Sequence, residues 1–314
     1  MLNSQINLNR LEFLITFRCT STCDHCSVCT DDVDKKATHL DLKRAKLFVN
    51  EACDNYRINS MMTFGGEPLL YPEFVCELHK TAEERNIENR QIITNAYWTK
   101  NGKRIDEIAR MLKDSGVNDI LVSIDYFHEK YLDYDIVGIA LEQLKKQNIP
   151  HVSLHPVWVV NKESKNSYNE KTKELLKMFD YLDFPQDEGN NLFPAGRAVN
   201  NFKEYLPTPT EKIVGNCGDL PYTEKPNNLK CLSMNPNGEI MGCNVIGNIY
   251  KSSLTEIISR YDYKNDIVLK SIVEEGCSGL YNLVKEKNIE LNKNGYYSIC
   301  DLCKDIRAKM LLHR

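Results

Sequence analysis

Short apolar runs alternate with longer segments of helical spacing along the first 180 residues. The runs are apolar on both faces and end at polar residues or glycine, which is typical of buried parallel strands. They predict strands at residues 11–16, 60–64, 90–95, 119–124 and 151–154, the last of which could run on to residue 160, and a weak sixth near 181–182. Apolar positions three or four residues apart predict the intervening helices at residues 40–55, 73–85, 104–115, 136–147 and 171–179.

This alternation predicts the architecture of the N-terminal part of the chain. Strands that are separated by helices pair in parallel through right-handed crossovers. Six such units predict an α/β fold with a partial (βα)6 TIM-like barrel at residues 11–200, after an N-terminal segment at 1–10. In barrels of this kind the chemistry lies at the carboxyl ends of the strands.

The composition excludes some classes of protein. Apolar residues make up 42% and charged residues 27%, which is an ordinary globular balance. The 40 basic residues against 44 acidic ones give a net charge of −4, so we expect no nucleic-acid partner. No uncharged apolar run reaches the ~20 residues of a membrane helix, and the N-terminus lacks a signal-peptide core. We therefore expect a cytoplasmic protein without membrane contacts.

Twelve cysteines are the unusual feature of this composition. In a reducing compartment, clustered cysteines indicate metal ligands or reactive thiols rather than disulfides. Cys19, Cys23 and Cys26 form a C-x3-C-x2-C motif after the first strand. Three thiolates leave one metal position open, whereas a structural zinc site takes four ligands, for which Cys29 or His25 is available. The spacing alone leaves both interpretations open.

The turn after the second strand, Gly65-Gly66-Glu67-Pro68, decides between them. Such a turn is common by itself, but it is specific when it lies one strand away from a C-x3-C-x2-C loop. Together the two motifs resemble the radical S-adenosylmethionine enzymes. The resemblance implies that Cys19, Cys23 and Cys26 bind three irons of a [4Fe–4S] cluster. The fourth iron would chelate the amino and carboxylate groups of S-adenosylmethionine.

The same resemblance implies protein contacts to the S-adenosylmethionine. The turn would hold the amino group, with Glu67 as the ion-pair or hydrogen-bond acceptor, and His25 would lie near the adenine. Arg197, at the exit of the barrel, could bind a carboxylate near the radical site. Further contacts are implied for three residues at the ends of the third and fourth strands: Asn95, Ser123 and Asp125.

A second group of cysteines lies in the last third of the chain. Pro236-Asn237-Gly238 predicts a hairpin turn that brings Cys231 and Cys243 to adjacent strands. Cys300 and Cys303 form a C-x2-C pair before a terminal helix. These four thiolates could bind zinc or an iron–sulfur cluster.

The segment at residues 231–314, which follows a linker at 201–230, resembles the twitch and SPASM modules of radical S-adenosylmethionine enzymes. The resemblance implies one auxiliary [4Fe–4S] cluster on the four cysteines. The further cysteines that a second auxiliary cluster would need are absent from the sequence after Cys303. Cys217 or Cys277 could replace one of the four ligands.

Relatives with such a module mostly modify ribosomally made peptides, so a peptide is the expected substrate. Three reaction classes are open: Cα epimerisation, crosslinking (including thioether formation) and side-chain oxidation. The single auxiliary cluster and a spare cysteine favour epimerisation, in which a thiol returns hydrogen to the Cα radical. Cys217 is the first candidate for this hydrogen donor and Cys277 the second.

The resemblance also leads to expectations about partners. Cys19 lies too close to the start for a preceding leader-binding domain, so we expect a separate leader-binding protein or recognition of the peptide by the cleft itself. A flavodoxin or ferredoxin-type protein is the expected electron donor. The non-enzymatic alternative is a zinc-stabilised scaffold, which would have no use for the turn at residues 65–68 beside the first cysteine motif.

Overall fold

The computed structural model describes residues 3–28, 39–220 and 223–312. Cys29, the sequence-based candidate for a fourth ligand, lies outside the described residues. The strands within them are β1 (Ile6–Leu14), β2 (Ser60–Phe64), β3 (Asn89–Thr94), β4 (Asp119–Ser123), β5 (His151–His155), β6 (Val157–Trp158), β7 (Asn190–Asn191), β8 (Leu229–Met234), β9 (Glu239–Met241) and β10 (Val245–Asn248). Eight of them form one sheet in the order β10-β9-β8-β1-β2-β3-β4-β5.

Strands β1 to β5 pair in parallel, each with the next, and helices connect them. This confirms the α/β fold with a parallel, partial-barrel sheet. The helices within the described residues are α1 (Leu42–Asn55), α2 (Pro72–Glu84), α3 (Gly102–Asp114), α4 (Tyr126–Glu129), α5 (Tyr134–Lys146), α6 (Ser167–Lys177), α7 (Ala198–Asn201), α8 (Leu254–Arg260), α9 (Ile267–Glu286) and α10 (Ile299–Leu312).

Side-chain caps set the first residues of the connecting helices. The side chain of Asp41 accepts a hydrogen bond from the backbone of α1, Asn101 from α3, Asp133 from α5 and Asn166 from α6. Each cap satisfies an N–H group that has no partner inside the helix. The apolar periodicity predicted the centres of these helices, and the caps move their first residues by two to four positions.

Two predictions about the last strands are wrong. Residues 180–182 form a 3-10 turn instead of a sixth strand. Leu154 of β5 instead forms an isolated parallel bridge with Gln186. The chain beyond Pro156 also leaves the main sheet, since β6 pairs with β7 in a separate two-stranded sheet. A proline has no N–H to donate to a sheet ladder, so the main sheet ends there.

The predicted hairpin turn is confirmed, and the hairpin extends the barrel sheet. The prediction that Cys243 lies on its second strand is wrong, since β9 ends at Met241. Strand β8 pairs in parallel with β1 and antiparallel with β9. Its fully buried residues Leu229, Leu232 and Met234 join the same hydrophobic core as the barrel. The predicted module boundary at residue 231 thus falls inside a strand of the central sheet. Helices α9 and α10 form a second hydrophobic cluster with residues of the preceding linker.

Charged and polar side chains line the part of the concave face around β1. Leu11 and Phe13 of β1 are fully buried, and the ring of Phe13 packs against Phe48 of α1. Side chains alternate along a strand, so Arg10 and Glu12 point to the opposite, concave face. Arg10 donates to Glu12 at 2.7 Å and also contacts three side chains of the neighbouring strands: Ser60, Met62 and Gln91.

Among the helices of the described ranges, we find none with the length and apolarity that crossing a bilayer would require.

Candidate active site

The three cysteines of the first motif lie on the loop that leaves β1. Cys23 is buried, and Cys19 and Cys26 are partly buried. The Oγ of Ser21 lies 3.0 Å from the Sγ of Cys23 and 3.6 Å from the Sγ of Cys19. The N–H of Cys26 donates to the carbonyl of Cys23 at 3.1 Å. The loop therefore curls around one hydroxyl at the carboxyl end of the sheet.

The glycine turn after β2 is bonded directly to this loop. The N–H of Gly66 donates to the carbonyl of Thr16 at 2.7 Å, and the N–H of Glu67 donates to the carbonyl of Arg18 at 2.8 Å. Gly65 has a φ of +143°, which L side chains rarely adopt, and a Cβ at Gly66 would overlap the carbonyl of Arg18. Two adjacent glycines are therefore required for the turn to approach the residues that precede Cys19.

The Glu67 carboxylate is buried and bonded within the protein. It accepts hydrogen bonds from the N–H of Leu69 at 2.9 Å, the hydroxyl of Thr94 at 2.8 Å and the N–H of Asn95 at 2.8 Å. Burial raises its pKa to about 7, although these hydrogen bonds oppose the shift. Glu67 therefore fastens the turn to the end of β3, and the backbone of the turn is the part left to face a ligand.

Asn95, at the end of β3, contacts the cysteine loop. Its side-chain amide donates to the hydroxyl of Thr20 at 3.0 Å and lies 3.7 Å from the Sγ of Cys19. Its side-chain oxygen accepts from the N–H of Tyr97 at 2.9 Å. These hydrogen bonds thus join the segments that follow β1, β2 and β3.

His25 of the cysteine loop forms a compact group with Asp125 and His128, in which the nitrogen and oxygen atoms that could bind a metal lie within 4.8 Å of one another. Asp125 ends the loop after β4 and caps the short helix α4, and its carboxylate lies 2.8 Å from the Nδ1 of His128. The ring of His25 packs against Phe127 at a centroid distance of 4.6 Å. The Nδ1 of His25 is buried and has no hydrogen-bond partner among the described residues.

The charges of this group follow from burial and pairing. Burial lowers the pKa of His25 to about 4, despite the nearby Asp125 carboxylate. Burial alone would raise the pKa of Asp125, but the charge and hydrogen bonds of His128 keep it below its usual value. The pKa of His128 is raised by Asp125 against the effect of burial. His25 is thus a neutral ring beside an ion pair.

Arg197 reaches the cysteine loop through its backbone. Its N–H donates to the carbonyl of Cys26 at 3.0 Å. One turn later, the side chain of Asn201 donates to the carbonyl of Asp24 at 2.9 Å, and Lys130 pairs with the Asp24 carboxylate at 2.7 Å. The segment around α7 therefore closes the far side of the loop.

Ser123 ends β4 beside a pair of residues that the sequence analysis missed. Its partner in the register is His155, at the end of β5. The Nδ1 of His155 lies 2.6 Å from the Asp187 carboxylate, and its Nε2 lies 2.8 Å from the side-chain amide of Asn190. Asp187 follows a segment without strand periodicity, so nothing in the spacing connects it to His155.

The C-terminal cysteines lie in two places. Cys231 lies on β8, opposite Arg10 of β1. Burial and then the charge of Glu12, to which the thiol is hydrogen-bonded, raise the pKa of Cys231. Cys300 and Cys303 lie within the first turns of α10 rather than before it, and they pack against the second hydrophobic cluster.

The two sequence-based donor candidates also lie at the second hydrophobic cluster. Cys277 is buried in α9, next to a break in helical geometry at Gly276. Cys217 packs against the surface of the same cluster. Burial, followed by the charges of Cys300 and Cys303, raises the pKa of Cys217 to about 12.

The sequence model described as "Radical SAM superfamily" matches residues 13–179, which is more than half of the chain. The chain belongs to the Radical SAM superfamily. Membership implies a [4Fe–4S] cluster and S-adenosylmethionine. The matched region contains the cysteine loop, the glycine turn and strands β2 to β5.

Several solved structures align with this radical SAM chain. A histidine-tagged form of anSMEcpe with bound AdoMet aligns with a TM-score of 0.52 at 15% identity, over 98% of this chain and 94% of that one. Native anSMEcpe with bound AdoMet aligns with a TM-score of 0.52 at 14% identity, over 98% of this chain and 97% of that one. BtrN in complex with AdoMet and 2-DOIA aligns with a TM-score of 0.47 at 15% identity, over 88% of this chain and 89% of that one. Comparison with curated proteins gives no match.

The residues present fit the group that radical SAM membership implies. Three thiols on one short loop are the soft donors that iron–sulfur clusters take. His25 belongs to the same loop, and its buried, unpartnered Nδ1 is a polar atom that a ligand would satisfy.

Proposed function

We propose that this radical SAM enzyme binds its [4Fe–4S] cluster through Cys19, Cys23 and Cys26 and abstracts hydrogen from a substrate on the concave face. The observation that carries the proposal is the direct bonding of the glycine turn to the cysteine loop through Gly66 and Glu67. When bound, the cluster and S-adenosylmethionine supply a 5′-deoxyadenosyl radical. The chain holds the two binding motifs in contact and positions the substrate against them.

Each motif has a role in this proposal. The backbone carbonyls of the turn would accept hydrogen bonds from the ammonium group of the cofactor, because the Glu67 carboxylate already accepts three hydrogen bonds from the chain itself. His25 would lie near the adenine, where its unpartnered Nδ1 can accept a hydrogen bond. Asn95, Ser123, Asp125 and Arg197 line or brace the same end of the sheet.

We propose a ribosomally made peptide as the substrate and Cα epimerisation as the reaction, with crosslinking or side-chain oxidation as the alternatives. Arg10 and Glu12 give the concave face charged groups of both signs, which suit the amide and charged groups of a peptide. A separate leader-binding protein and a flavodoxin or ferredoxin-type reductant complete the system. Epimerisation needs a thiol that still carries its hydrogen, for which Cys217 and Cys277 are the two candidates.

Metal content tests the cofactor proposal. After anaerobic reconstitution we expect a brown protein with about eight irons per chain, four for each cluster. Cys19→Ala should lose about half of the iron. Cys53→Ala, on the outer helix α1, is the matched control and should keep it all. A colourless zinc protein would instead support the scaffold.

Deuterated solvent separates the reaction classes. Epimerisation in D2O should add one deuterium at a Cα and raise the peptide mass by one unit. Crosslinking and oxidation remove two hydrogens and lower the mass by two. A product that lost two hydrogens would exclude epimerisation while leaving the radical mechanism intact.

A further inference from the structure

We propose that the auxiliary cluster is held by Cys217, Cys243, Cys300 and Cys303, and that Cys231 remains a free thiol in the barrel wall. The inference rests on the proposed function, in that it assigns ligands to a cluster that the fold neighbours alone do not show. It differs from the set expected from the sequence by exchanging Cys231 for Cys217.

The first two ligands are fixed by helix geometry. Cys300 and Cys303 are three residues apart at the start of α10, so their side chains lie on the same face of the helix. Both pack against the second hydrophobic cluster. This places a C-x2-C pair at the edge of an apolar surface, where a cluster would be shielded from water on one side.

The kink in α9 positions the segment that carries Cys217. Gly276 has a φ of +63°, which interrupts the helix. A Cβ at this position would lie 3.2 Å from the Oδ1 of Asn216 and 3.5 Å from the carbonyl oxygen of Gly215. The chain just before Cys217 therefore passes across the kink, and Cys217 packs on the same apolar surface as Cys300 and Cys303.

Cys243 reaches this group because the hairpin ladder stops short of it. The last pair between β8 and β9 is Ser233 with Met241, and the N–H of Gly242 then donates to the carbonyl of Asn244 at 3.0 Å. This tight turn takes Cys243 out of the sheet. Burial, followed by the charges of the nearby Cys217 and Cys303 thiols, raises the pKa of Cys243.

Cys231 has different surroundings from the four proposed ligands. It stays in the sheet, opposite Arg10, and is one of the residues that alternate onto the concave face. Besides burial, the charges of Glu12, Arg10 and Glu224 shift the pKa of the Cys231 thiol. The charges of Cys300 and Cys303 raise the pKa of Cys217 in addition to burial.

A cation stabilises the proposed ligand set. Arg307 follows Cys303 by one turn in α10 and pairs with Asp266 at the start of α9. Burial raises the pKa of the Cys303 thiol, and the nearby charge of Arg307 opposes that rise. Each thiol releases its proton to solvent as its sulfur binds iron, so four thiolates accumulate in one place. A fixed guanidinium beside them offsets part of that negative charge. Because a ligating thiolate carries no proton, Cys217 would not be the hydrogen donor in an epimerisation.

Iron content tests the assignment without any turnover. The starting protein is the full chain with Cys19, Cys23 and Cys26 changed to Ala, so that only the auxiliary site can hold iron. After reconstitution it should contain about four irons per chain. Adding Cys217→Ala should lower this to less than about one, whereas adding Cys231→Ala should leave it at about four.

The opposite pattern, loss with Cys231→Ala and retention with Cys217→Ala, would overturn the assignment, and so would loss or retention in both variants. Circular dichroism confirms that each variant is folded.

Cys217→Ser provides a second readout, because an oxygen ligand should change the electron paramagnetic resonance signal of the reduced cluster. Cys231→Ser should leave that signal unchanged. A starting protein without iron, or with zinc, would also overturn the assignment. Iron in the chain with an intact Cys19, Cys23 and Cys26 reports separately on the proposed function.

Discussion

Single residues determine how closely the two motifs of the active site approach each other. Gly65 and Gly66 let the turn after β2 lie against the backbone of residues 16–18. Glu67 then ties the same turn to Thr94 and Asn95. The sequence predicted that this turn lies beside the cysteines, but the inward direction of the Glu67 carboxylate could not be predicted, because it depends on β3 packing next to β2.

Gly66→Ala tests this close approach. Its Cβ would overlap the backbone carbonyl of Arg18, so either the turn or the cysteine loop must move. We expect a loss of about 1–3 kcal/mol in the free energy of unfolding and a lower iron content. Gly102→Ala is the matched control, since a Cβ there meets nothing within 4 Å. Equal behaviour of the two variants would contradict the contact.

His79 in α2 predicts a pH dependence away from the active site. Its Nε2 lies 3.0 Å from the Thr63 hydroxyl, its Nδ1 has no partner among the described residues, and burial lowers its pKa to about 3. In the folded state His79 stays neutral, whereas in the unfolded state it takes up a proton below about pH 6.5. Its contribution to stability is therefore complete above that pH and is lost as the pH falls.

Between pH 7 and 5 this loss should amount to about 2 kcal/mol, from about 1.5 pH units at about 1.36 kcal/mol each. His79→Gln lacks the titrating ring, so its free energy of unfolding should fall by about 2 kcal/mol less over the same range. Urea unfolding at the two pH values measures the difference. The same pH dependence in both proteins would show that His79 is not held neutral.

At the scale of elements, the helices with plain periodicity could be predicted and α9 could not. In α9 the apolar spacing is interrupted by Gly276 and Gly279, which in a sequence indicate a turn rather than a helix. Packing overrides that signal, because Val268, Ile272 and Leu280 are all buried in the second cluster. The cluster forms only when α10 and the linker meet α9, which no local pattern shows.

Two glycine-to-alanine changes should have opposite effects on stability. Gly276→Ala places a Cβ on a residue with φ +63° and ψ −150°, a conformation found almost only in glycine, and should cost about 1–3 kcal/mol. Gly138→Ala lies in the regular part of α5, where the nearest atom would be 3.5 Å away, and should gain about 1 kcal/mol. Thermal unfolding measures both. A gain for Gly276→Ala would show that α9 is straight.

At the scale of the whole molecule, the barrel and the C-terminal hairpin share one core. The cysteine pattern suggested a separate module from residue 231 onwards, because sequence spacing shows where ligands cluster and not where strands pair. The structure instead inserts β8 next to β1. Helices α9 and α10 are the part that has a hydrophobic cluster of its own.

Truncation distinguishes the two parts. A chain that ends at residue 227 loses five fully buried side chains of β8, β9 and α8: Leu229, Leu232, Met234, Ile240 and Leu254. At about 2 kcal/mol each, this loss approaches the whole stability of a domain. We expect that chain to be insoluble or to unfold without cooperativity. A chain that ends at residue 265 keeps the shared core and should unfold cooperatively; equal behaviour of the two would contradict a shared core.

The most direct test of the central claim is the release of 5′-deoxyadenosine. The reconstituted protein is incubated without oxygen with S-adenosylmethionine and dithionite, and the products are measured by liquid chromatography. We predict 5′-deoxyadenosine and methionine from the unmodified chain and from Cys53→Ala, and neither from Cys19→Ala. A reconstituted, iron-loaded chain that releases neither product would contradict the assignment of the cysteine loop and the glycine turn as a radical-generating site.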